Sequence, residues 1–395
     1  MTAPPAGRGS ARPREGAAAA YVLFLVAAVP PVSTLRHGQT AVLAALFLSV
    51  FAVVVRAIVR GLPLRARHFA ALPLLGAVLL SYSAPVVSLV TATSRHADLA
   101  GLVGGLALLA AATAAPPSAR RLARTIGLAG AAEAAAVIFR DDHAGGRLDG
   151  LGLNPNYLGL LAAVPLVACV GLACVRRAPV WLLPAAPCLA VVVATQSRGA
   201  FLAAAAGVAV LLLSGRSLRT RMLVTAGIAA VVLLLPGGFG AVENSGASDR
   251  AAAELSYNDA VREHAARFAL DVALAHPVRG IGYDMFAPYA AASPKIGIYI
   301  NTHNDYLRLG AEAGLPCLTL LLGLLVWACK DPRTGGLAVL RALVVAYSVG
   351  LVFANALSNL AVSAPFWAAL GCLISHAPLR RSGAPPLKHK EQTCR

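Results

Sequence analysis

Charge is scarce in this chain: Asp, Glu, Lys and Arg make up 13% of its 395 residues, about half the share found in an ordinary soluble domain. Together with a mean hydropathy of +0.71, that scarcity excludes a water-soluble enzyme and points to a protein whose solvent is lipid. Acidic residues are scarcer still, 17 against 34 basic ones. On a soluble surface the resulting formal charge of +17 would imply a nucleic-acid partner, but its placement, described below, excludes one. The seven cysteines fall in apolar stretches, at their ends or in the carboxyl tail, and none in the one long polar segment. Neither a disulfide framework nor a cysteine metal site is therefore expected. No fixed-period repeat or pair of related halves is visible, and no serine hydrolase motif. The first apolar stretch follows a basic, proline-containing tail without a convincing cleavage site, so it is expected to be retained.

What the chain does have is a succession of apolar runs. About 20 such residues cross a hydrocarbon core of roughly 30 Å, and backbone groups there must bond to one another, which makes helices the expected element. Twelve spans are expected, beginning near Ala17, Ala41, Ala71, Leu99, Thr125, Tyr157, Pro179, Ala200, Leu223, Leu309, Leu337 and Leu360. With the amino terminus inside, the inner segments hold clusters such as Arg56, Arg60, Arg65 and Arg67, or Arg216, Arg219 and Arg221, whereas the short outer loops hold only Arg36, Arg95, Arg140 and Arg147. Lysine and arginine bias sets orientation, so both termini are expected in the cytoplasm. The expected organisation is an all-α polytopic membrane protein: a cytoplasmic tail over 1–16, transmembrane helices over 17–239, a large extracytoplasmic loop over 240–306, further helices over 307–377 and a basic cytoplasmic tail over 378–395.

Within that outer loop, a polar stretch NSGASDRAAAELSYND gives way to an amphipathic one. Val261, Ala265, Phe268, Val272 and Ala275 recur at helical spacing, which predicts a short helix over 260–275 lying against the membrane surface. His276-Pro277 should end it, because proline restricts the residue before it. The loop carries Arg250, Arg262, Arg267 and Arg279.

The candidates for chemistry gather at the outer edge. His303 stands in THNDYLRLGAEAGLP, just before an apolar span, and an imidazole with an ordinary pKa near 6.5 accepts a hydroxyl proton at neutral pH. Arg198 sits at the outer junction of two spans, where a charge is costly; it either contacts an anion or snorkels to the interface. Asn304 and Asp305 either orient the imidazole or an acceptor, or cap the next helix. Glu312 lies in the first turns of that helix, whose dipole favours it. Tyr157 and Tyr306 suit either a sugar or an interfacial belt. Asp141, Asp142 and His143 invite a metal, but nothing fixes a third ligand, and no metal or cofactor is expected. The GIG of Gly280 to Gly282 lacks the strand and helix of a dinucleotide site and reads as a turn.

Five pieces in order carry a resemblance: NPNYLG (Asn154 to Gly159), TQSRGAFL (Thr195 to Leu202), Arg262, HPVRGIGYDMF (His276 to Phe286) and THNDYLRLGAEAG. Over about Gly150 to Leu320 the chain resembles the O-antigen ligase and polysaccharide polymerase superfamily of membrane glycosyltransferases. The resemblance implies a GT-C-like architecture in a bacterial cytoplasmic (inner) membrane. It also implies a polyprenyl-pyrophosphate-linked glycan as donor, and a glycan or glycolipid acceptor delivered through membrane lipid. Arg198 and Arg262 would then hold the pyrophosphate, His303 would be the base, and no metal would be needed. Arg267 competes with Arg262 for its role, because Ala266 stands where the family often has a bulky aromatic. Arg279, Asn304, Asp305, Glu312 and, from NPNYLG, Asn156 are the remaining expected substrate contacts. The rival from another class is a transporter or flippase for a lipid-linked glycan or anionic solute; it predicts charges near the bilayer midplane, where Glu133 is the clearest acid.

Overall fold

A computed structural model describes residues 16–35, 38–59, 66–83, 85, 93–140, 143–144, 147–176, 178–214, 252–330 and 334–377. Those residues are almost entirely helical. The helices are α1 (Ala17–Ser33), α2 (Gly38–Val59), α3 (Leu72–Ser83), α4 (Thr93–Ala114), α5 (Ala119–Arg140), α6 (Pro155–Arg176), α7 (Leu182–Ala194), α8 (Arg198–Leu213), α9 (Ala252–Ala275), α10 (Phe286–Ala292), α11 (Asp305–Cys329), α12 (Gly335–Gly350) and α13 (Leu360–Ser375). A two-residue antiparallel pair, β1 (His143–Ala144) with β2 (Arg147–Leu148), turns the chain between α5 and α6. Eleven of the twelve expected spans meet a helix; the one from Leu223 lies outside the described residues, as do both terminal tails beyond Gly16 and the start of the outer loop.

Four stretches are long and apolar enough to cross a membrane by length and composition: His96–Ala114, Ala119–Arg140, Pro155–Val175 and Asp305–Cys329. Other apolar helices, among them α1, α8, α12 and α13, are shorter. Two helices form the centre. Every residue of α13 is buried, as an all-round apolar helix requires, and it packs on α4 and α1. The face of α4 that receives it carries Gly101 and Gly105, where an added Cβ would strike the Ser358 backbone and the Trp367 ring. Small residues let helices approach where lipid gives no hydrophobic drive. The other central helix, α6, is enclosed by α5, α7, α8 and α12.

The outer loop is a folded unit. Its main helix, α9, starts eight residues earlier than the amphipathic pattern predicts, over Ala252 to Asp259, a stretch without an apolar stripe. Ala265, Phe268 and Val272 are buried as that pattern requires, while Leu270 and Leu274 are about half exposed or more. Phe268 and Val272 form a small separate core with Ile281, Met285, Phe286 and Ala290, and α9 lies along α11.

A break in α11 locks that unit to the bundle. Gly314 adopts φ 83° and Pro316 follows it, so the helix cannot complete its own hydrogen-bond ladder there. The freed carbonyls are taken by the turn after α9: Ile281 N donates to Ala311 O at 2.9 Å and Gly282 N to Glu312 O at 3.0 Å, while Leu315 N donates to Pro277 O at 2.7 Å. Ser81 Oγ of α3 also donates to Glu312 O, at 2.5 Å. A Cβ on Gly314 would collide with Val278 O. Irregular backbone inside a membrane span is tolerated only where protein buries it in this way.

Candidate functional site

One end of the bundle carries the site, and several helix termini meet there. Asn154 caps α6, its Oδ1 accepting from Asn156 N at 3.0 Å and Tyr157 N at 3.1 Å. Ser197 caps α8, accepting from Ala200 N at 3.3 Å. Gly159 of the first motif faces the second: a Cβ there would press on Ala200 Cβ, Thr195 Oγ1 and Ser197 Cβ. Arg147 fastens the same pair from outside, donating to Thr195 O at 2.7 Å and to Asn156 Oδ1 at 3.1 Å. Asn156, expected at a substrate, is thereby a support for the turn that precedes Arg198.

Arg198 is the first residue of α8, and its Nη1 pairs with Asp259 Oδ2 at 3.3 Å. Both side chains are about half exposed, at 48% and 59%, so the pair contributes at most about 1 kcal/mol and yields readily to a stronger anion. Asp259 lies one turn before Arg262 on α9, on the same face of that helix. The charge of Arg262 in turn reaches His303. Burial, first, and the Arg262 guanidinium, second, push the His303 imidazole below its ordinary 6.5. Through α9, then, Arg198, Arg262 and His303 form one connected group. Arg267, the other candidate, is in an exposed pair with Glu263 one turn away on the same helix. Arg279 is exposed and donates to Leu80 O at 3.2 Å.

His303 itself sits in left-handed backbone, φ 52°. Four described residues other than glycine do so, Leu151, Gln196, Asp284 and His303, and each lies in or beside one of the motifs. Such conformations cost energy and gather where a site over-determines the backbone. Three neighbours hold His303 in place. Thr302 Oγ1 is 3.0 Å from both Asn304 O and Asn355 Oδ1. Asn304 caps α11, accepting from Tyr306 N at 3.0 Å and Leu307 N at 3.1 Å. Asp305 is 1% exposed and accepts from Leu357 N at 2.7 Å while its own N–H donates to Leu351 O at 2.9 Å. Of the two roles open to Asn304 and Asp305, capping and anchorage are the ones their hydrogen bonds serve. Tyr306 and Tyr157 donate to Ser348 O at 2.8 Å and Asn355 O at 3.0 Å, so the α12–α13 connection is sewn to the same end. Phe353 of that connection covers Gly199, where a Cβ would meet its side chain.

Beneath lies a cluster that sequence reasoning missed. Arg308, 4% exposed, donates to Glu312 Oε2 at 3.0 Å, Asp284 Oδ1 at 3.2 Å and Asp98 Oδ2 at 2.6 Å, and lies 3.3 Å from Ser358 Oγ. Glu312 also accepts from Asp284 N and Phe286 N, both at 3.0 Å. With 2% exposure, its carboxylate is a tie between α11 and the 280–286 turn, and the expected substrate contact is not open to it. A charged residue inside an apolar span was the available signal for Arg308; that Asp98 and Asp284 answer it is decided by the fold. Asp141 and Asp142 lie outside the described residues.

The arrangement offers two guanidinium groups, the amino end of a helix and an imidazole at one end of the bundle. Guanidinium forks suit phosphate oxygens, helix N-termini favour anions, and the imidazole is free to take a proton. No curated protein matches the chain. Residues 183–322, which include Arg198, Arg262, His303 and the α11 break, match the family model Wzy_C, described as O-Antigen ligase, so this segment is similar to the O-antigen ligase superfamily.

Proposed function

We propose that this protein is a multi-pass glycosyltransferase of the bacterial cytoplasmic membrane, with a GT-C-like bundle of about twelve spans and both termini in the cytoplasm. At its outer face it transfers a glycan from a polyprenyl-pyrophosphate carrier to a sugar hydroxyl. The observation that carries the reading is the link from Arg198 through Asp259 and Arg262 to His303. The acceptor hydroxyl oxygen attacks the anomeric carbon and gives its proton to His303, while the bond from that carbon to the pyrophosphate oxygen breaks. Configuration inverts in this single displacement. Arg198 and Arg262 take up the charge that grows on the departing pyrophosphate, the kind of stabilisation that usually contributes most to such a step. Asp259 leaves Arg198 as the pyrophosphate arrives. The arginines supply the countercharge that a metal provides elsewhere.

Deleting the gene tests the reading and separates its two forms. Collapse of surface-polysaccharide chain length marks a polymerase; intact chains stranded on the polyprenyl carrier mark a ligase. An unaltered surface polysaccharide and carrier pool refutes both.

The depressed His303 pKa sets the pH dependence. A base works only unprotonated, and His303 stays unprotonated to lower pH than a free imidazole. The acid limb of the transfer rate should therefore fall below pH 6.5. Arg262→Gln removes one of the two causes, so the limb of the residual activity should move up toward 6.5, though burial keeps it from going further. Arg267→Gln should leave the limb where it is. A wild-type limb above 6.5, measured as transfer rate against pH in detergent or nanodiscs, would show that the titrating base is another group.

A further inference from the structure

A second site lies at the same end of the bundle, apart from the arginines. A cavity of about 760 Å³ opens between the end of α1, the last two turns of α5 and the turn over Asp149–Gly152. Its walls include Pro31 and Leu35 from α1, Glu133 and Arg140 from α5, and Asp149 and Leu151 from the turn. That volume is of the order that holds a small organic ligand. Glu133 and Arg140 are two helical turns apart, so the acid lies about 10 Å deeper along α5 than the basic rim. Glu133 Oε1 is buried and has no hydrogen-bond partner, a costly condition for a polar atom in a membrane-spanning helix. Buried polar groups are normally satisfied, and here the missing partner has a cavity to come from.

The chemistry narrows the occupant. Arg140 is the one guanidinium in the lining, with Asp149 beside it and the Glu133 carboxyl group deeper; that is a poor set for a phosphate, so the pyrophosphate of a donor belongs with Arg198 and Arg262. A carboxyl group beside apolar walls suits an uncharged group rich in hydroxyls, which donates to Glu133 Oε1 while its carbon skeleton lies against Pro31 and Leu151. Charge at the rim and apolar surface along α1 suit a molecule that is polar at one end and lipid at the other. We infer that this cavity binds the uncharged sugar head of a membrane glycolipid, with Glu133 as its central hydrogen-bond acceptor. The turn that closes it leads directly into Asn154 and Asn156, and Arg147 ties Asn156 to the Arg198 turn, so an occupant would press on the support of the transfer site. That the glycolipid is the acceptor rests on the proposed function; that a sugar head binds here does not.

The test is therefore direct binding by the full-length protein, without turnover. The protein is held in a polyoxyethylene micelle and exposed to n-octyl glucoside, or to the phosphocholine of the same chain length, and retained adducts are counted by native mass spectrometry. Wild type and Glu133→Gln should retain the glucoside at least 10-fold better than the phosphocholine. Glu133→Leu, which removes the acceptor, and Ala136→Trp, which blocks the cavity and leaves Glu133 in place, should both lose that preference. Equal retention of the two amphiphiles by wild type, or undiminished glucoside binding in Ala136→Trp, overturns the site. Binding that survives alongside an absence of any transferase activity would leave the site standing and remove only the name of its glycolipid as acceptor.

Discussion

His303→Ala is expected to lower glycan transfer by about 10²–10⁴-fold, the span associated with loss of a positioned general base, and Arg198→Ala by about 10²–10³-fold, as for one lost donor to developing charge. Membrane abundance and thermal midpoint should stay near wild type in both. The physical basis is that the ties described for each side chain do not run through the buried framework of the bundle. Arg198 makes a half-exposed ion pair with Asp259, and the segment around His303 is fixed by its neighbours, through the Thr302 and Asn355 contact, the Asn304 cap and the Asp305 anchor. Removing the imidazole leaves those ties intact. Near-full transfer in both variants, measured with purified protein and a polyprenyl-pyrophosphate-linked glycan, would refute the mechanism. A combined loss no larger than that of the worse single variant would show that the two act on one step.

The opposite behaviour is expected of Arg308. Arg308→Met should destabilise the folded protein by about 3–5 kcal/mol, because it strands the buried Glu312 carboxylate and removes the tie to the more exposed Asp284 and Asp98. Its partners come from three parts of the chain: Asp98 on α4, Asp284 in the turn after α9, and Glu312 one turn further along α11. Loss of the hub should release the 280–286 turn, so that activity and thermal midpoint fall together. Arg308→Lys keeps a charge but not the planar fork and should recover only part of the midpoint. An Arg308→Met protein that melts as wild type does, yet is inactive, would move Arg308 from the framework into the transfer chemistry. The two sets of variants thus separate side chains that act on a substrate from side chains that hold the actors, a distinction invisible in a motif where His303, Asp305, Arg308 and Glu312 stand within ten residues.

Much of the bundle was legible as composition and run length. Apolar stretches of the right length predict helices because lipid leaves the backbone no other partner, and helices duly begin near the expected positions from Ala17 to Ala200 and again from Leu309. Of the amphipathic series from Val261 to Ala275, Ala265, Phe268 and Val272 are buried in α9, whereas Val261 is half-buried and Ala275 exposed. The series also gave no sign of the first eight residues of that helix, Ala252 to Asp259, which carry no apolar stripe. The four long apolar stretches support the membrane assignment, whereas the number of crossings and their direction rest on charge bias alone.

For the site, the sequence by itself determined the chemical vocabulary: scarce charges concentrated at one edge, an imidazole at a helix entrance, and arginines in the one long polar segment. Local spacing also fixed the caps, since Asn154, Ser197 and Asn304 each stand just before a helix. Only the tertiary structure decided which polar groups meet. Asn156 accepts from Arg147, Glu312 from Arg308 and two backbone amides, and Arg267 pairs with Glu263, while Arg198 pairs with Asp259 on the helix whose Arg262 acts on His303. The reason is that a carboxylate or guanidinium is costly in lipid until it finds a partner, and the partner is set by which helix ends meet in space, with no trace in the spacing along the chain.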